Sequence, residues 1–142
     1  MDAFLIITTA YLVFIIFAIL RGDVNSMGTL ETEALIQYFI VNKDLGMSEG
    51  KTASQVSHVA TLLAIRDSTK SDYKHWLSSK KRVVVLKATE NTLLKLSEKI
   101  EGSILFIDSG FTVVPEDSFT VLGLPIMTRR EAEKYVKRLR TL

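Results

Sequence analysis

The sequence predicts an α/β fold: a compact three-layer sandwich around a mixed sheet of about four strands, preceded by an N-terminal hydrophobic helix. Three observations predict it. Short runs of bulky and β-branched residues alternate with segments whose apolar positions recur every three or four residues, the order expected of βα units. The 142 residues are 47% apolar and 24% charged, which suits one ordinary core. The opening thirty residues depart from that balance and hold one uncharged apolar run.

That run is 3–20, AFLIITTAYLVFIIFAIL, eighteen residues long. It just reaches the length of a spanning helix. Asp2 precedes it and Arg21 follows, with no basic residue before it and no convincing small-x-small site after it. This favours an uncleaved anchor over a secretory signal, and the acidic start argues against a transit peptide. Arg21 and the basic domain would then face the cytoplasm. A helix apolar on every face would otherwise need burial all round. Translation from Met27 would instead give a shorter cytosolic chain. The expected organisation is an anchor over 1–21, a polar linker over 22–33 and an α/β domain over 34–142.

Within the domain, 34–41 (ALIQYFIV) reads as a buried strand. Residues 42–48 form a loop. From Gly50 to Ile65 the pattern turns helical, with Ala53, Val56, Ala60, Leu63 and Ala64 as the inward stripe. Ser71 is placed to cap a short helix through Leu77. A second strand spans 82–86 (RVVVL). Thr89 caps a helix with Leu93, Leu96 and Ile100 inward, and Gly102 ends it. Strands follow at 104–107 (ILFI) and 119–124 (FTVLGL), joined without a helix and therefore expected antiparallel. Thr128-x-x-Glu131 is a capping box opening a last helix with Ala132, Tyr135, Val136 and Leu139 inward.

Composition removes several chemistries. There is no cysteine, which excludes disulfides, thiolate zinc sites and cysteine nucleophiles. His58 and His75 are too far apart in sequence for H-E-x-x-H. Net charge is only +2, but 128–142 concentrates Arg129, Arg130, Lys134, Lys137, Arg138 and Arg140, and Lys80-Lys81-Arg82 forms a second run. Such patches suit nucleic acid or an anionic membrane surface; charge alone favours solvated faces.

Two places gather polar groups. Lys51, Gln55, His58 and Leu62 are spaced by four, three and four, so they share one helical stripe, expected opposite the core. Lys51 follows Gly50 in the first turn, where a lysine opposes the helix dipole. Periodicity by itself favours a solvated face. Gly50-Lys51 is no Walker motif, because Leu45 stands where its first glycine is required. Asp108 ends an apolar strand and runs into Ser109-Gly110, the position at which α/β proteins hold ligands. Thr112 and Thr120 follow, and a carboxylate with hydroxyls nearby can position a water or accept a proton. The competing reading of Asp108 is an Asx-turn. Met47 reads as core filler, and His75 beside Trp76 as packing.

The run from Asp44 to His58, DLGMSEGKTASQVSH, resembles the opening motif of the archaeal and eukaryotic-type (type II) peptidyl-tRNA hydrolases, D-L-x-M-x-x-G-K-x-A-x-Q-x-[SA]-H. Val83–Lys87 is similar to the family's V-V-L-K, Asp108–Thr112 to D-A-G-x-T, and Thr120–Gly123 to T-V-L-G. The resemblance covers about residues 35–125. The sequence departs from the family at Phe111, often arginine, at Val113, often Gln or Glu, and at Leu124-Pro125, commonly I-G-P.

The resemblance implies hydrolysis of the ester between peptide and tRNA, recycling tRNA from stalled or aborted translation. Lys51, Asp108, Thr112 and Thr120 would be the catalytic group. Asp108 would orient or deprotonate water, directly or through a threonine, and Lys51 would meet the developing oxyanion or a phosphate. Gln55 and His58 would orient substrate, and Lys80, Lys81 and Arg82 would steer the tRNA backbone. No metal or organic cofactor is required. The expected partners are peptidyl-tRNA and, through 3–20, a membrane; a homodimer is compatible. The less polar Phe111 and Val113 leave open a catalytically weakened member acting as an RNA-binding or membrane-tethered adaptor.

Overall fold

The computed structural model describes residues 33–109 and 114–142. The apolar run 3–20, the linker apart from Glu33, and Phe111, Thr112 and Val113 lie outside the described residues. No helix among the described residues is long and apolar enough to cross a membrane.

The central strand is β1, Leu35–Asn42, buried from its second residue onward. A single 3-10 turn, Lys43–Leu45, leads to helix α1, Glu49–Asp67, and then α2, Ser71–Ser78. Strand β2, Arg82–Ala88, precedes α3, Glu90–Lys99, which is capped by Thr89 as expected. Gly102, at φ +75, turns the chain into β3, Ile104–Asp108. Then come β4, Ser118–Gly123, β5, Met127–Thr128, α4, Arg129–Val136, and β6, Arg140–Thr141. The Thr128–Glu131 capping box is fully formed.

The sheet is mixed, in the order β3-β4-β1-β2-β6, with β5 also pairing β1. β1 and β2 are parallel, and β3 and β4 antiparallel. Six strands replace the four expected. The two added strands are two-residue segments, too short and too polar to carry a periodic signal. They exist because β1 and β2 offer them ladder positions.

Alternation along β1 creates the layers. Ile36, Tyr38 and Ile40 pack with Leu93 and Leu96 of α3 and Ala132 and Val136 of α4. Phe39 and Val41 pack on the other face with Val59 and Leu63 of α1. Gly123 is what lets α1 lie so close: a Cβ there would run into Val59 Cγ1 and stand 2.8 Å from Leu63 Cδ1.

Three local expectations are corrected. The buried row of α1 is Thr52, Gln55, Val59, Leu63 and Asp67, so the helix is rotated from the alanine-led stripe and Ala53 is exposed. Alanine contributes little burial energy, whereas Gln55 finds buried polar partners in Asp108 and Thr120 and Asp67 is paired by the more exposed Arg66 and Lys70. Ser71 is the first residue of α2 and not its cap; Lys70 holds the N-cap position without a side-chain bond. Tyr135 is 36% exposed, while Ala132 and Val136 fill the inward side of α4 and Leu139 packs at its margin.

Candidate active site

The parallel strands β1, β2 and β3 end at one edge of the sheet, at Asn42, Ala88 and Asp108. Ligands of α/β sheets bind beyond such carboxyl ends. The first turns of α1 overhang this edge. Ser48 caps the helix by accepting from Lys51 N, which fixes where the Lys51 side chain starts.

Lys51 Nζ donates to Asp108 Oδ2 at 2.6 Å, and Gln55 Nε2 donates to the same oxygen at 2.6 Å. The dipole conflict at Lys51 is thereby answered by a carboxylate. Asp108 is 8% exposed and Gln55 2%. Thr120 Oγ1 lies 3.1 Å from Gln55 Oε1 and 3.4 Å from Phe106 O.

The direction of these bonds follows from chemistry. As a carboxylate Asp108 only accepts, so the amide end of Gln55 faces it and the carbonyl end faces Thr120. Thr120 has one hydroxyl proton and gives it inward. Gln55 thus couples the hydroxyl on β4 to the carboxylate on β3. Among the described residues no buried side-chain polar atom lacks a partner.

Thr120 reaches this face through a β-bulge. Phe106 pairs with Val121 and Ile107 with Phe119, leaving Thr120 between two pairs. In a regular strand Thr120 would point away from the face that Val121 shares with α1. The bulge re-aims it toward Gln55.

Several expectations are revised. The Lys51–Gln55 stripe faces the sheet and not solvent, because its polar ends meet Asp108 and Thr120. Thr120 is 0% exposed, and its hydroxyl is directed to Gln55 Oε1 and Phe106 O. His58 stacks on Phe106, ring centroids 5.3 Å apart at 11°, on the β3 side of α1. Lys80, Lys81 and Arg82 are not brought to this edge. Arg82 pairs with Ile36 at the beginning of β1, six residues back from the Asn42–Ala88 pair. At about 3.3 Å per residue that is roughly 20 Å away. Among the described residues no three His, Asp or Glu side chains are grouped to hold a metal ion.

Sequence reasoning missed the support beneath the edge. Buried Asn42 donates to Glu90 Oε2 at 3.2 Å and to Phe119 O at 2.8 Å, and its Oδ1 accepts from Asp44 N. Asp44 Oδ2 accepts from Glu90 N at the start of α3. This network ties the loop before α1 to β4 and α3. The one signal was Asp44 within the first motif, where sequence alone assigned it no task.

The chain matches the family model described as Peptidyl-tRNA hydrolase PTH2 over residues 35–142. It is 33% identical over 95 residues to a peptidyl-tRNA hydrolase of Staphylothermus marinus, covering 62% of this chain and 78% of that one. It is 32% identical over 95 residues to a peptidyl-tRNA hydrolase of Thermococcus onnurineus, with 62% and 80% covered. A probable peptidyl-tRNA hydrolase 2 of Dictyostelium discoideum is 30% identical over 112 residues, 73% of this chain and 53% of that one.

Proposed function

The chain belongs to the peptidyl-tRNA hydrolase PTH2 family, and from that premise we propose that it hydrolyses the ester joining a peptide to the 3′ ribose of tRNA, with Asp108 and Lys51 at the reacting atoms. The observation that carries this reading is the convergence of Lys51 and Gln55 on one oxygen of Asp108 at the carboxyl edge of the sheet.

Water attacks the ester carbonyl carbon as its proton passes to Asp108. The new C–O bond leaves a tetrahedral oxyanion, which the Lys51 ammonium stabilises. The bond to the ribose 3′ oxygen then breaks, and that oxygen takes the proton from Asp108. Gln55 and Thr120 are positioning residues: Gln55 holds the carboxylate in place, and Thr120 holds Gln55. Thr112 is assigned to the site on the resemblance alone. His58, stacked on Phe106, borders it on the side toward β3. Lys80, Lys81 and Arg82 contribute long-range attraction for RNA from the far end of β2.

Asp108→Asn tests the reading. The amide keeps the shape but cannot take the proton, so kcat should fall by roughly 10²–10⁴ while circular dichroism stays unchanged. Wild-type turnover by this variant removes Asp108 from the chemistry. Binding of peptidyl-tRNA without turnover by the unaltered chain would make the protein an adaptor.

Of the other expected partners, a membrane is supported by the uncharged run 3–20, with 22–33 as linker. A second copy of the chain is proposed on compatibility alone. Release of the full chain from membranes by alkaline carbonate would count against a spanning anchor.

A further inference from the structure

The edge that holds Asp108 is electrically lopsided. At its β3–β4 end stand Glu116 and Asp117, both exposed, just before Ser118, which pairs with Asp108. At its other end β2 and β6 present a different surface. Lys87 pairs with Val41, so its side chain lies on the face that Val41 shares with α1. Leu86 and Ala88 on either side point to the opposite face. Arg140 of β6 pairs with Lys87 and lies on the same side of the sheet. Lys43 follows Asn42, whose partner in the ladder is Ala88, the residue after Lys87. All three cations are exposed, and none forms an ion pair among the described residues. The carboxylates nearest this end, Asp44 and Glu90, are held by Glu90 N and Asn42 Nδ2 at the start of α3.

A substrate whose ester lies at Asp108 must send its RNA along this edge in one direction. Toward β3 and β4 the phosphates meet two carboxylates. Toward β2 and β6 they meet three cations. Asp108 and Lys87 are three strand spacings apart, about 14 Å at roughly 4.8 Å each, a span the single-stranded 3′ end can cross. We infer that Lys43, Lys87 and Arg140 form the phosphate-binding surface for the 3′ strand of the RNA, and that close contact does not involve Lys80–Arg82. This rests on the proposed activity for its direction, since the ester fixes where the strand begins. The contacts are to backbone and read no base.

The test is binding of deacylated tRNA to the full chain, followed by fluorescence anisotropy across a salt series. Each phosphate contact to single-stranded nucleic acid contributes about 0.7 to the slope of log K against log salt. Lys87→Gln with Arg140→Gln should flatten the slope by about 1.4 and weaken binding at low salt about tenfold or more. The charge-keeping pair Lys87→Arg and Arg140→Lys should retain the slope, which separates lost charge from a damaged fold. Lys95→Gln with Lys99→Gln, exposed on α3, makes the same change in net charge and should leave the slope alone. An unchanged slope in the Lys87/Arg140 variant overturns the inference, as does a larger loss on neutralising Lys80, Lys81 and Arg82. Because the readout is binding, it is separate from the activity. A chain that loses slope at Lys87 and Arg140 yet never cleaves peptidyl-tRNA keeps this surface and loses the proposed reaction. A chain that cleaves with its slope unmoved loses only this surface.

Discussion

Replacing Lys51 should cost both stability and rate, and the two can be separated. Its ammonium sits 2.6 Å from Asp108 Oδ2, with the side chains 13% and 10% exposed. At an effective dielectric of about 20, unit charges at that distance attract by roughly 6 kcal/mol. Desolvation of both groups offsets most of this, so the net contribution is nearer that of a charge-assisted hydrogen bond, about 1.5–3 kcal/mol. A solvated helix lysine would contribute within about 0.5 kcal/mol. Lys51→Met keeps the aliphatic stem and removes the charge, so it reports the pair without a packing defect. Urea denaturation should show a loss of about 2 kcal/mol, and the melting temperature should fall by roughly 8–16 °C. Single-turnover hydrolysis of peptidyl-tRNA, well below that temperature, should slow by about 10²–10³, with KM changed much less. Lys51→Arg should recover part of both, since charge survives with altered donor geometry. A double-mutant cycle with Asp108→Asn should give a stability coupling of about 1–3 kcal/mol. Zero coupling together with wild-type kcat would refute the pair as a working unit. Lost stability with unchanged kcat would make it a structural tie only.

Gly123→Ala pushes a Cβ into Val59 and Leu63, so α1 must lift from the sheet. Overpacking should cost about 1–3 kcal/mol in urea denaturation, and the displacement of Gln55 and Lys51 should lower kcat by up to about 10²; wild-type values for both would mean α1 shifts freely. Asp67 is buried at the end of α1, where hydrogen bonds from Arg66, against the opposing effect of burial and with help from Lys70, hold its carboxyl below the ordinary 3.8. Its contribution is therefore complete above about pH 4 and is lost as pH falls below that through its folded value. Asp67→Asn should be less stable at neutral pH and vary less with pH in the acid range, and parallel acid curves for the two proteins would contradict the assignment.

Most of the framework was legible because it is local. The bulky and β-branched runs of β1, β2 and β3, the Thr89 cap and the Thr128–Glu131 box each lie within a few consecutive residues. Lys51, Gln55, Asp108 and Thr120 could likewise be chosen by spacing and by the resemblance. What could not be read was how they face one another. The polarity of α1 is misleading in sequence because its alanines outline a stripe while Gln55, the more polar residue, is the one buried. Only the sheet beneath explains that, since the partners of Gln55 come from residues 53 and 65 positions away.

The sequence by itself determined the order of the four longer strands and of the helices between and after them, the chemistry available and the family. The tertiary structure decided which side chains meet. A helical period says how residues are spaced around an axis but not which side of that axis the sheet will cover. Gly123 sets the approach of α1, and the bulge turns Thr120 toward it. The same holds for the basic residues. Lys80-Lys81-Arg82 is the conspicuous run, yet strand direction carries it to the end of β2 away from Asp108. Lys43, Lys87 and Arg140 are isolated in sequence and become neighbours because β6 returns antiparallel to pair with β2. Register is a long-range property, and composition holds no record of it.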